Sequence, residues 1–159
     1  MRLLILSDTH GNYPLAIKAL EETGQVDRII HLGDEFEDAR MIEAIIGSPL
    51  IKVPGNCDLG VEDARNITVE FDGIRIFMTH GDRYQVKSGL ARLLKKATGE
   101  QAGIVLYGHT HVAAVTDIDG ILFINPGCLG SICSTPSYAI LTITHGKVTA
   151  EIKPVRCEM

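Results

Sequence analysis

The sequence predicts an α/β fold in which two mixed β-sheets pack together with helices on the outside. Two observations predict it. The first sixty residues alternate short apolar runs with amphipathic segments, in a β-α-β-α-β pattern, whereas the remainder reads mostly as antiparallel hairpins. Polar residues collect at the breaks just after the apolar runs, where open α/β sheets carry their ligand sites.

The elements follow in order. Residues 2–7 form a short apolar run suited to a strand buried on both faces. Asn12 and Pro14 then open a periodic segment, Leu15, Ala16, Ala19, Leu20, which ends at Gly24 and reads as a capped helix. Residues 26–32 are a second buried strand, stopped by Gly33-Asp34. Residues 37–46 read as a second helix ending at Gly47, and residues 50–53 as a third strand stopped by Pro54-Gly55. Residues 66–71 and 74–79 flank Asp72-Gly73, a type I′ hairpin signal. Phe77 interrupts the alternation of Ile74, Ile76 and Met78, so that strand is expected to be buried on both faces.

Residues 86–97 read as a helix whose basic end suits the helix dipole. Residues 103–107 form another buried strand. Two further hairpins turn at Asp119-Gly120 and His145-Gly146. There is no Pro/Gly/Ser-rich linker, low-complexity tract or repeat, so the expectation is a single domain over residues 1–159.

Composition excludes several classes. Fifteen Lys+Arg stand against 20 Asp+Glu, a formal net charge of -5, which argues against a basic nucleic-acid surface. Aromatics are 5% with no Trp, so base-stacking platforms are poorly supplied. A small anionic substrate stays compatible, because local charge can oppose net charge. No apolar run approaches the ~20 residues of a membrane helix. The N-terminus lacks the pattern of a signal peptide, so a cytoplasmic location is expected. Cys57, Cys128, Cys133 and Cys157 form no CxxC pair and are expected to be free thiols in a reducing compartment.

The chemistry lies at five breaks. Asp8-Thr9-His10, Gly33-Asp34, Gly55-Asn56-Cys57-Asp58, His80-Gly81 and Gly108-His109-Thr110-His111 each follow a strand. In extended chain, residues i and i+2 point to one side, so Asp8 can share a target with His10, and His109 with His111. Four of the six histidines sit in these breaks. Asp8 and Asp34 would repel each other without a cation. Imidazole nitrogen mixed with carboxylate and amide oxygen suits Mn, Fe, Zn, Ni or Co better than Ca or Mg. Seven side chains (Asp8, His10, Asp34, Asn56, His80, His109 and His111) are too many for one ion and suit two that share a carboxylate. A structural zinc is a poor fit, since such sites close with four ligands and favour Cys. His31 is read as a structural histidine and His145 as a solvent-facing turn residue. Asn125 is expected to support the site by hydrogen bonding. Lys87, Arg92, Lys95 and Lys96 are read as a solvated helix face.

In this order, the five motifs resemble those of the calcineurin-like metallophosphoesterase superfamily. Ser7-Asp8-Thr9-His10-Gly11-Asn12 and Asn125-Pro126-Gly127 are similar to the small single-domain phosphodiesterase branch of bacteria and archaea. The resemblance implies a four-layer α/β/β/α sandwich. It implies that one metal takes Asp8, His10 and His111, that a second takes Asn56, His80 and His109, and that Asp34 bridges them together with a water or hydroxide. It implies a di-metal phosphodiesterase, with manganese first and Ni, Fe, Zn or Co as alternatives, in which the bridging hydroxide attacks phosphorus in line. Asn56, Cys57, Asp58 and His80 are the residues it places in catalysis, Asp58 as a carboxylate that orients a ligand or a His partner. Cys57 stands where much of the superfamily has a His proposed to protonate the leaving group, and Asp82 stands where relatives of the branch often have His. The expected partner is a small phosphate ester, with no stable nucleic-acid partner and no membrane, and hairpin edges leave homo-oligomers open. The alternatives are a phosphomonoesterase, or a protein-binding scaffold of the same fold, like a eukaryotic retromer subunit. A nuclease of the superfamily usually adds capping domains and basic surfaces, which this chain lacks.

Overall fold

Strand β1 (Arg2–Leu6) pairs in parallel with β2 (Arg28–His31), and β2 with β3 (Ile51–Lys52), in a computed structural model that describes residues 1–156. Helices α1 (Tyr13–Thr23) and α2 (Phe36–Ile46) make the two crossovers. The other sheet opens with the hairpin β4 (Asn66–Phe71) and β5 (Ile74–Thr79). It continues through α3 (Ala91–Gly99) to β6 (Ile104–Leu106), then closes with the hairpin β7 (Ala114–Ile118) and β8 (Ile121–Asn125). A last hairpin, β9 (Ser137–Thr144) and β10 (Lys147–Pro154), returns to the first sheet beside β1. The strand orders are β10-β9-β1-β2-β3 and β4-β5-β6-β8-β7.

Period-2 alternation builds the layers. Leu3 and Ile5 of β1 pack between the sheets with Ile76, Met78, Ile104 and Leu106. Leu4 and Leu6 face the other way, onto Ala16 and Ala19 of α1 and Ala39 and Ile42 of α2. On the second sheet, Phe77, Val105 and Phe123 turn outward onto Leu93 and Ala97 of α3. Ile76–Thr79 is therefore buried on both faces, as the broken alternation predicts. The result is the expected α/β/β/α sandwich.

Three local readings change. Asn12 does not cap α1 with its side chain; its amide instead donates to Leu129 O at 2.9 Å, tying the helix start to a distant loop. The helix read over residues 86–97 begins only at Ala91, because Val86–Ser88 forms a separate short turn that ends at Gly89 (φ 125°). Cys128 and Cys133 are joined in a disulfide, against the expectation of free thiols. Sequence spacing alone does not reveal that pair, because the intervening loop must fold back to bring their Cα atoms within 6.2 Å. Cys57 is a free thiol, and Cys157 lies outside the described residues. No helix among the described residues is long and apolar enough to cross a membrane.

His31 ends β2 with its side chain fully buried, in the structural role read from the sequence. Its Nδ1 accepts the Gly33 N–H at 3.2 Å, so the proton sits on Nε2, 3.0 Å from Thr9 Oγ1. Burial outweighs the pull of Asp58 and pushes this imidazole from 6.5 down to about 4. Between those values the unfolded chain binds more protons, so stability falls as pH falls through that window. With chelator present, the wild type is expected to lose about 2 kcal/mol more than His31→Gln between pH 7 and pH 4.5. Urea unfolding of both proteins at the two pH values measures the difference.

Candidate metal centre

The C-terminal ends of the parallel strands β1, β2, β3, β5 and β6 lie along one edge of the sandwich. Backbone pairing runs on past the strands into the loops. Asp8 N donates to Gly33 O at 2.9 Å, His10 N to Asp34 O at 3.2 Å, and Gly108 N to His80 O at 2.9 Å. The chain then turns sharply. Asp8, His10, Asp34, His109 and His111 all take positive φ, between 45° and 70°. Aspartate and histidine are among the few side chains that tolerate this region.

The seven side chains read from the sequence come together. Ligand atoms of Asp8, His10 and His111 lie within 4.8 Å of one another, and so do those of Asp34, His80 and His109. Asp34 also forms such a group with His10 and Cys57, so its carboxylate lies between the two clusters. Asn56 Oδ1 stands 3.1 Å from His80 Nε2.

The hydrogen bonds show which atoms face inward. Asp8 Oδ2 accepts from Ser7 Oγ at 2.5 Å and from the His109 N–H at 3.1 Å. Asp8 Oδ1 is buried with no hydrogen-bond partner, although His111 Nε2 is 3.1 Å away. His80 Nδ1–H donates to Leu32 O at 2.7 Å, which leaves Nε2 facing Asn56 Oδ1, Asp34 Oδ2 at 3.4 Å and His109 Nδ1 at 3.2 Å. His10 Nε2 and His111 Nε2 face each other at 3.3 Å. Acceptors thus converge with few donors among them, an arrangement that could hold a metal ion. The set of imidazole, carboxylate and amide oxygen fits a first-row transition ion.

The electrostatics agree. Burial raises the Asp34 carboxyl, but His80 and the Cys57 N–H outweigh burial and hold it well below the usual carboxylate range. Burial alone would lower His80; Asp34 and Asp8 reverse that and raise it. His109 is lowered, by burial first and then by its neighbour His80. Partial burial, then Asp34, pushes the Cys57 thiol up to about 11.

Asp58 does not touch a histidine. Its Oδ2 accepts the N–H groups of Asp34 at 2.9 Å and Gly55 at 2.7 Å, and its Oδ1 that of Phe36 at 2.7 Å. It positions the Asp34 loop and the start of α2 through the backbone. Asn125 does support the site: its Nδ2 donates to Gly108 O at 3.1 Å and Thr110 Oγ1 at 3.0 Å, and its Oδ1 accepts the Gly127 N–H at 3.0 Å. Lys87, Arg92 and Lys95 are exposed, as a solvated face requires, and Lys96 pairs with Glu100.

Sequence reasoning missed Ser7, the Leu32 carbonyl and Gly108 as working parts. A Cβ on Gly108 would collide with Ser7 Oγ and lie 2.7 Å from Asp8 Oδ2. The one signal was their adjacency to ligand motifs.

Residues 1–146 match the calcineurin-like phosphoesterase superfamily domain. The chain belongs to that superfamily. It is 31% identical over 166 residues to "Phosphodiesterase MJ0936" of Methanocaldococcus jannaschii, covering 89% of this chain and 92% of that one. A predicted phosphoesterase from Streptococcus pneumoniae superposes with a TM-score of 0.80 at 26% identity, covering 96% of this chain and 88% of that one. Vps29 from Entamoeba histolytica superposes at 0.76 with 18% identity, covering 98% of this chain and 100% of that one, a likeness of fold alone.

Asp58→Asn replaces an acceptor with an amide that faces backbone N–H groups. It is expected to lower metal affinity about 10- to 100-fold with the ligands intact and to destabilise the fold by about 1–3 kcal/mol. Competition with a metallochromic chelator and thermal unfolding measure the two effects.

Proposed function

We propose that this chain is a di-metal phosphodiesterase, its residues 1–159 working as one unit. The observation that carries the reading is the convergence of inward-facing acceptors, the unpartnered Asp8 Oδ1 above all. Asp8, His10 and His111 would hold one divalent ion, Asn56, His80 and His109 a second, and Asp34 would span both. The donor set favours manganese, with nickel, iron, zinc or cobalt as alternatives. Cations bound there would supply an activated water near neutral pH and would polarise the phosphoryl oxygens of an ester. In-line attack of that water on phosphorus belongs to this proposal.

The chain's own groups do the positioning. Ser7 and the His109 N–H take one oxygen of Asp8 and leave the other facing the cluster. The Leu32 carbonyl fixes the His80 tautomer, a role that outer partners commonly play for ligating histidines. The Cys57 N–H holds Asp34 Oδ1 at 2.9 Å. The Cys57 thiol, exposed beside the site, is a weak hydrogen-bond donor. Esters with good leaving groups are therefore the better substrates.

Three of these assignments are tested together. Asp34→Asn and His80→Ala are expected to lower hydrolysis of bis-p-nitrophenyl phosphate by at least about 100-fold, since loss of an outer partner alone costs roughly 10- to 100-fold. Elemental analysis should find two ions per wild-type chain and fewer in His80→Ala. A wild type that holds no metal, or stays inert across a panel of metals and esters, refutes the reading.

Substitution at Cys57 separates a weak donor from a working general acid. Cys57→Ala is expected to keep aryl diester turnover within about threefold, whereas loss of a working general acid costs ~100-fold or more. Steady-state rates on matched aryl and alkyl diesters decide it.

A further inference from the structure

We propose that an apolar cavity beside the metal ligands receives the uncharged organic group of the phosphodiester, and so selects alkyl or phenyl-sized esters over nucleotides. The inference rests on the phosphodiesterase reading and adds a substrate class to it. The cavity has a volume of about 500 Å³, within the range of small-molecule sites. His111 forms part of its wall, and the same imidazole lies 3.1 Å from Asp8 Oδ1. One side chain thus borders both the metal cluster and the cavity, so a phosphoryl group at the metals can extend its substituent into the cavity.

The lining states what fits. Val112, Ile132, Ile152 and Pro154 supply apolar surface, and Ser134 and Thr135 are its uncharged polar groups besides Ser137. Among the described residues, no lining side chain is Lys, Arg, Asp or Glu, so a second phosphate or a carboxylate has no partner there. No Phe, Tyr or Trp lines it either, so apart from the His111 imidazole, whose Nε2 faces Asp8, a nucleobase meets no stacking face there. Val112 and Ile132 are 65% and 76% exposed, among the most exposed large apolar side chains described. Covering them with an apolar group removes that surface from water.

The walls are built before any ligand arrives. Val112 N donates to Thr110 Oγ1 at 3.1 Å, and Asn125 holds that same hydroxyl at 3.0 Å. The cavity lining also includes the Cys128–Cys133 disulfide. Its loop is anchored to the metal edge by the Leu129 and Gly130 N–H groups, which both donate to Asp8 O, at 3.2 and 3.0 Å. A preformed pocket binds without the cost of ordering its walls.

The test compares two ligands with one head group. Methylphosphonate and hexylphosphonate are titrated calorimetrically into the manganese-loaded chain. Hexylphosphonate is expected to bind at least about tenfold tighter, the gain of burying part of five methylenes. In the double variant Val112→Ser/Ile132→Ser that preference should fall below about threefold, while Met41→Ser, at an exposed apolar site elsewhere, should keep it. Equal affinity of the two phosphonates in the wild type overturns the subsite and leaves the phosphodiesterase reading standing. A loaded chain that binds neither phosphonate sinks that reading itself. A nucleoside monophosphate that matches hexylphosphonate, or a dimer that the double variant dissociates while the hexyl preference survives, also overturns the proposal.

Discussion

A buried carboxylate oxygen that no donor satisfies governs the whole ligand-bearing edge. Asp8 Oδ1 is fully enclosed and unpartnered, and the rest of the neighbourhood tightens that constraint instead of relieving it. Ser7 and the His109 N–H engage only the other oxygen. Gly108 approaches so closely that any side chain would displace the carboxylate. The Leu129 and Gly130 N–H groups bond the backbone carbonyl of the same residue. A buried charge without a full balance costs several kcal/mol, so a cation at this edge would stabilise the packing. His80 repeats the logic: its donor nitrogen is committed to Leu32 O, which turns the other nitrogen toward acceptors.

Backbone conformation shows the same constraint from another side. Ten described non-glycine residues have positive φ. Asp72, Asp119 and His145 sit in the hairpin turns, where a type I′ turn requires it. Five others are Asp8, His10, Asp34, His109 and His111. Outside such turns the conformation costs of order 1–3 kcal/mol per residue. At the strand ends it folds side chains from two sheets back over one edge. The parallel strands supply the edge, and the left-handed residues aim the ligands across it.

Much of this was legible in the sequence, and the boundary of legibility has a physical cause. Buried strands betray themselves by apolar runs, and a turn follows where Gly, Pro, Asp or Asn interrupts them. The polar clusters at the ends of β1, β2, β3, β5 and β6 were therefore visible from their position alone. The double burial of Ile76–Thr79 was visible too, because Phe77 breaks a one-faced alternation. Contacts made by backbone atoms, or by side chains far apart in the chain, carry no local signature. The Leu32 carbonyl on His80, the three N–H groups on Asp58 and the Asn12 amide on Leu129 O are of that kind. The helix read from residue 86 started late for a local reason that apolar periodicity overrode, the conformation of Gly89. The Cys128–Cys133 pair depends on the path of a loop, which composition does not encode.

A fold alone does not establish catalysis, so what this edge retains decides. A chain that used the edge only to grip another protein would gain stability by losing Asp8 or His80, since well-packed apolar residues often replace buried charges at no cost or with a gain. This chain instead keeps both, together with Asp34, which His80 and the Cys57 N–H hold ionised. It also spends Ser7, Asp58 and Asn125 on orienting them. Two divalent ions would turn two converging aspartates from a mutual repulsion into a locally cationic centre. The acidic balance of the chain as a whole, -5, then opposes broad polyanion binding while leaving one small centre able to hold a phosphate ester.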